Sequence, residues 1–149
     1  VEQIETTIYN GRKGIMPNYG ARLSETEIAD LAKHVVALSE GGEHAVGKEL
    51  FINPTKGGCF ACHGMDAKGM AALGSANLTD AVWRFEVSGG GDHRHASALH
   101  TIAHGVNSEL IDPASRNAVM PAFGPLGKDL SAGSVKKLAV YVHQLGGGQ

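Results

Sequence analysis

The chain has 149 residues, with 13 basic and 15 acidic side chains giving a formal net charge of −2; it carries no strong positive field, which argues against nucleic acid as a partner. That length suits about one domain on the usual prior of ~150 residues, and no run approaches the ~20 apolar residues of a membrane-spanning helix. The chain opens at Val1 with no initiator methionine and no charged segment leading into an apolar stretch, so any signal peptide or anchor is expected to have been removed, or the chain to be a fragment.

In chain order, the first signals are Thr7-Ile8-Tyr9-Asn10-Gly11, then Met16-Pro17-Asn18-Tyr19-Gly20, then a helix capped by Ser24. Its apolar residues Ile28, Leu31, Ala32, Val35 and Leu38 fall at i, i+3, i+4, i+7 and i+10, and Ser24 with Glu27 makes a capping box. Gly41-Gly42 marks a boundary. Ala45 to Ile52 reads as a short helix with Gly47 and Phe51 on one face, and Pro54 to Gly58 breaks it. A helical turn at Cys59 to His63 is followed by a glycine-rich polar loop from Gly64 to about Asp80. Ala96 to His104 is helical and stops at Gly105, a suitable C-cap.

The same order of signals then returns. Thr101-Ile102-Ala103-His104-Gly105 leads through a long loop to Met120-Pro121-Ala122-Phe123-Gly124 and a last helix from the cap Ser131 to about Leu145. Its stripe of Val135, Leu138, Ala139, Val142 and Leu145 repeats that of the first helix. No strand alternation is visible, so the class is all-α. The second copy is preceded by the motif at Cys59 and the first is not. Residues 1–40 are therefore expected to be the C-terminal remnant of a preceding domain, its front half lying upstream of Val1, and residues 41–149 a complete domain.

Cys59-Phe60-Ala61-Cys62-His63 uses both cysteines of the chain. Its C-x-x-C-H spacing is that of c-type haem attachment, in which two thiols add across the haem vinyl groups and the histidine binds iron. A thioredoxin-like pair would sit near a β-α-β pattern, and a zinc site needs a second ligand pair at metal spacing; neither is visible. A plain disulfide is the third competing reading. With 21 glycines and only 5% aromatics the chain is short of its own core-filling bulk, which one covalent haem c would supply.

His63 is the expected proximal ligand, and Met120, followed by Pro121, the expected sulfur donor on the other side. Thioether ligation stabilises ferrous iron and raises the potential, and the proline fixes the backbone beside the donor. Met65 and Met70 lie too near His63 in sequence to reach the opposite face easily. His100 and His104 are better rivals, and with His93 and His95 they form a histidine cluster able to take a transition metal. Met16 is expected to have no haem of its own. Trp83 either packs on the haem edge, hydrogen-bonds a propionate or belongs to the core; Arg84 and Arg116 either neutralise propionates or lie on the surface. An iron closed on both sides suits electron transfer and not bond-making chemistry. The competing readings are a periplasmic dihaem carrier, a cytochrome domain of another redox complex, and an enzyme or gas sensor with a vacant iron position.

These residues resemble the class I cytochrome c superfamily, and most closely the dihaem subunit (CcoP, also FixP) of cbb3-type cytochrome c oxidases. The resemblance is carried by Cys59 to Gly64, Asn77-Leu78-Thr79-Asp80 with Trp83, Thr7 to Arg12, Ala118 to Gly124 and Leu138 to Gly148, in the family's order. It implies the class I cytochrome c fold and an electron relay that is not itself an enzyme, on the periplasmic side of the bacterial inner membrane. It also implies attachment through an anchor absent from this chain, oxidase subunits as partners, and cytochrome bc1 or a soluble cytochrome c as donor. Within the fold it implies that Gly47 and Phe51 meet Tyr141 where the first and last helices cross. The sequence departs from the family between Phe85 and His95, and its loop Val106 to Val119 is more like the family's first haem domain than its second.

Overall fold

The computed structural model describes residues 1–85, 93–124 and 130–146. These residues form six helices: α1 (Glu2–Asn10), α2 (Glu25–Ser39), α3 (Ala45–Ile52), α4 (Phe60–His63), α5 (His93–His104) and α6 (Ala132–Leu145). The helix-rich class agrees with the sequence pattern. Two strands of two residues each, β1 (Arg12–Lys13) and β2 (Val119–Met120), pair antiparallel with Arg12 opposite Met120 and Lys13 opposite Val119. The glycine run Gly89-Gly90-Gly91 and the terminal Gly147-Gly148 lie outside the described residues.

The helix ends follow from their caps. The Ser24 side chain accepts from the Glu27 amide while the Glu27 carboxylate accepts from the Ser24 amide, a complete capping box. Ser131 accepts from the Ser134 amide at the start of α6. Helix α5 begins three residues before the expected Ala96 and ends as expected before Gly105, whose φ is +76°.

Two compact units divide the chain, residues 14–117 and residues 1–13 with 118–149. In the unit 14–117, α2 packs against both α3 and α5. Leu31 and Ala32 of α2 are fully enclosed in a cluster with Ile28, Tyr19, Leu23, Phe51, Ala98 and Ile102. Gly47 faces α2 so closely that a Cβ there would lie 2.6 Å from His34 Cβ, and the His34 and Phe51 rings meet edge-on at 5.6 Å. The place beside Gly47 and Phe51 is therefore taken by His34, which corresponds in the repeat to the expected Tyr141. The reason is chain connectivity. Helices α2 and α6 carry equivalent stripes, but only five residues join α2 to α3, and a short link closes at less entropic cost than a long one.

The unit made of 1–13 and 118–149 is built on α1 and α6. Ile8, Val135 and Ala139 are its buried residues, with Ile4, Met120, Phe123 and Leu130 against them. The Phe123 and Gly124 amides donate to the Ile8 and Tyr9 carbonyls at 3.0 and 2.9 Å. Gly11, at φ +70°, admits the backbone of Met120 to Ala122, since a Cβ would come within 2.7 Å of the Ala122 nitrogen.

Burial of His34 has a pH consequence. Its pKa is held below the usual value chiefly by desolvation, with Lys48 and His44 adding to the effect and Glu43 opposing it. The unfolded chain takes up this proton first as pH falls below ~6.5. Stability is therefore intact above that value and drains away as pH falls through the lower folded pKa. The urea midpoint should drop between about pH 7.5 and about pH 5, and the drop should shrink in His34→Phe. Equal drops in the two proteins would show that His34 is not held neutral against α3.

Candidate functional site

The site grows out of the end of α3. The Asn53 side chain accepts from the Thr55 amide and hydroxyl at 2.9 and 2.8 Å, turning the chain at Pro54. Gly57 is buried, and a Cβ there would be 2.6 Å from the Leu50 carbonyl oxygen and 3.2 Å from Cys59 Sγ. Its lack of a side chain lets the Cys59 sulfur lie against the end of α3. The next turn is α4, closed by the His63 amide donating to the Cys59 carbonyl at 2.9 Å.

Both cysteines are unpaired thiols, Cys59 half-buried and Cys62 exposed. Burial, reinforced by Cys62, pushes the Cys59 pKa up to about 11 against the pull of its own backbone hydrogen bond. Burial likewise pushes the His63 pKa down, with the Ala76 carbonyl opposing. His63 Nδ1–H donates to that carbonyl at 2.9 Å, an interaction that fixes the tautomer and leaves Nε2 with a lone pair for a metal.

The loop after α4 holds this arrangement in place. Ser75 Oγ donates to the Cys62 carbonyl at 2.6 Å and accepts from the Met70 amide at 2.8 Å. The Leu78 amide donates to the Ala67 carbonyl at 2.8 Å, and Asn77 Oδ1 accepts from both the amide and hydroxyl of Thr79. The Asn77-Leu78-Thr79 stretch thus returns the chain past α4, so that Ala76 presents its carbonyl to His63.

Cys59, Cys62, His63 and Trp83 all fall in the unit 14–117, and Cys59, Phe60, Leu78 and Trp83 pack against its buried cluster. Met120 and Pro121 fall in the other unit, where Met120 sits in β2 against the Ile8, Val135 and Ala139 cluster and Pro121 is exposed. The methionine that shares a unit with His63 and packs on the same cluster as Cys59 and Trp83 is Met16. Met65 is exposed and Met70 half-buried beside the 3-10 turn Ala71–Leu73.

The His100 and His104 rings lie 4.5 Å apart, tilted by 46°, but each donates to the following loop, His100 Nε2 to the Ala114 carbonyl at 3.0 Å and His104 Nδ1 to Asp112 at 2.8 Å. Among the described residues no group of three or more His, Cys, Asp or Glu side chains is placed to hold a metal ion. Arg116 lies over the Phe85 ring at 5.1 Å and leaves its buried Nε without a hydrogen-bond partner among the described residues. Arg84 approaches the same ring at 5.9 Å.

The donor set fits a c-type haem. Two free thiols stand three residues apart on one helical turn, an imidazole offers its outer nitrogen, and a buried guanidinium N–H lacks an acceptor of the kind a propionate supplies. Sequence reasoning missed the Ala76 carbonyl, Ser75 and Gly57. The first acts through its backbone and has no side-chain signature.

A family model described as cytochrome c oxidase, cbb3-type, subunit III matches residues 42–142. The chain is 40% identical over 144 residues to the cbb3-type cytochrome c oxidase subunit FixP of Azorhizobium caulinodans, covering 93% of this chain and 41% of that protein. It is 37% identical over 139 residues to FixP of Rhizobium meliloti, covering 90% and 40%. To the CcoP subunit of Cereibacter sphaeroides it is 32% identical over 165 aligned positions, covering 100% and 49%. The chain thus spans less than half the length of these relatives. Among its described residues no helix is long and apolar enough to cross a membrane.

Proposed function

The chain belongs to the cbb3-type cytochrome c oxidase subunit III family, and from that premise we propose that it relays electrons through one covalently bound haem c to a cbb3-type terminal oxidase. The observation that carries this reading is the local one at α4. Cys59 and Cys62 are free on a single turn whose His63 is pinned through Nδ1, with Nε2 left for iron. Each thiol S–H adds across a vinyl group without a leaving group, and the bound porphyrin iron then supplies one-electron chemistry.

The chain's own residues do the rest. Burial keeps His63 neutral, Ala76 orients it, and Trp83 contributes apolar surface beside the attachment turn. Arg116 offers its free N–H to a propionate. A methionine sulfur would be the second protein ligand to the iron beside His63, leaving no position for substrate and making the chain a carrier and not an enzyme. Sequence order nominates Met120 for that sulfur, with Pro121 beside it. By sequence, residues 1–40 are the tail of one repeat and residues 41–149 a complete one. The oxidase subunits would be its acceptors, cytochrome bc1 or a soluble cytochrome c its donor, and the periplasmic side of the inner membrane its location.

A reduced-minus-oxidised spectrum with haem stoichiometry on the matured chain tests the reading. One haem per chain, with a sulfur-to-iron charge-transfer band in the ferric state, is the outcome required. Two haems per chain, or none, would overturn it.

A further inference from the structure

Two ties run side by side between α4 and the loop that follows it. His63 Nδ1–H donates to the Ala76 carbonyl at 2.9 Å, and the Ser75 hydroxyl meets the Cys62 carbonyl at 2.6 Å. Consecutive residues of the attachment turn are thus bound to consecutive residues of the loop. A serine hydroxyl has one proton to give. It goes to Cys62, because the other acceptor within reach, the Met70 carbonyl, is 3.3 Å away. The same oxygen accepts from the Met70 amide at 2.8 Å. Ser75 Oγ therefore joins the last turn of α4 to the segment that returns past it.

The Cys62 carbonyl is one of those that a helix C-terminus leaves without an intrahelical partner, and the hydroxyl answers it. Around this tie the backbone is closely fitted. The Gly69 amide donates to the His63 carbonyl at 2.8 Å. Gly69 stands at φ +77°, and a Cβ there would come within 2.6 Å of both the Ser75 and the Ala76 carbonyl oxygens. Beyond Ala76 the chain is held again, by the Leu78 amide on the Ala67 carbonyl at 2.8 Å. Ala76 hangs between a backbone anchor at Leu78 and a side-chain anchor at Ser75, and the second is the one a side-chain substitution removes.

We propose that Ser75 is a positioning residue for the His63 ligand, whose hydroxyl holds the Ala76 carbonyl against Nδ1–H and thereby lowers the reduction potential of the haem. This rests on the reading of the attachment turn given above. A carbonyl accepting from Nδ1–H makes the ring a better electron donor through Nε2, and a stronger donor favours ferric over ferrous iron. Cys62 is exposed, so water can satisfy its carbonyl in place of the hydroxyl. Removing the hydroxyl then releases the tie without leaving a buried polar group unpaired.

The test compares Ser75→Ala and Ser75→Thr with the wild type in the haem-matured chain, by redox titration and by proton NMR of the ferrous form. Ser75→Ala should show a higher midpoint potential and faster exchange of the His63 Nδ1–H with water. Ser75→Thr, which keeps a hydroxyl, should match the wild type in both. Wild-type potential and exchange in Ser75→Ala, a lower potential there, or equal shifts in the two variants would overturn the role of the hydroxyl. A merely structural serine would lower the melting temperature and leave potential and exchange unmoved. The wild type itself gives a readout free of any folding defect. Its Met70 amide, whose acceptor is Ser75 Oγ, should be protected from exchange, and one exchanging as freely as an exposed loop amide overturns the tie. Absence of covalent haem from the wild type would instead overturn the reading of the attachment turn.

Discussion

Replacing both Cys59 and Cys62 by serine should abolish covalent haem altogether. A serine hydroxyl does not add to the vinyl groups as a thiol does, so both thioether links disappear. The matured wild-type chain should keep its haem through denaturing electrophoresis and acid extraction, and the double variant should keep none. Each single variant retains one possible link and should show reduced, not absent, haem staining. Covalent haem surviving in the double variant would show that attachment does not run through α4.

The same substitution should have a large effect on stability. Among the described residues the large side chains that are almost wholly enclosed are Leu31 and Val135, one in each unit. Leu78 and Trp83 cover the cluster in the unit 14–117 but are themselves only partly buried. A macrocycle held beside α4 would bury apolar surface worth about 25 cal/mol per Å², and it would stabilise the folded state by binding that state alone. The haem-free double variant should therefore melt well below the matured wild type. Coincident melting curves would mean that the described side chains suffice as a core.

Much of the local structure was legible because its signals are local. The capping box at Ser24 and Glu27, the cap at Ser131, the stop at Gly105 and the two apolar stripes each depend on residues within a few positions of one another. The helical turn at Cys59 to His63 is legible for the same reason. Strands β1 and β2 were not, because two residues have no periodicity to read and their pairing joins positions more than a hundred apart. Helix α1 opens on Val1 with no side-chain cap, so it lacks the signature that marked α2 and α6.

The partner of α3 is a different kind of problem. Two stripes of equal pattern compete for one surface, and the pattern alone gives them equal standing. Chain connectivity breaks the tie, through the five-residue link from α2 to α3 and the bonds that fasten it. The His44 amide donates to His34 Nδ1 at 3.2 Å and the Gly42 amide to the Ala37 carbonyl at 2.8 Å. The turn at Cys59 to His63 escapes this ambiguity, because its residues are contiguous and occur once in the chain.

Two helix glycines should answer to alanine with opposite signs. Gly133 lies in the first turn of α6, where an added Cβ meets only Ser131 Oγ at 3.9 Å; Gly133→Ala should gain up to about 1 kcal/mol from helix propensity. Gly47 lies within α3, where the Cβ would collide with the Asp30 carbonyl and stand 2.6 Å from His34 Cβ. Backbone cannot rotate aside as a side-chain tip can, so α2 and α3 must separate. Overpacking of this kind costs about 1–3 kcal/mol, enough to exceed the propensity gain and lower the melting temperature by several degrees. A Gly47→Ala protein as stable as wild type would mean that α2 and α3 do not cross at this distance.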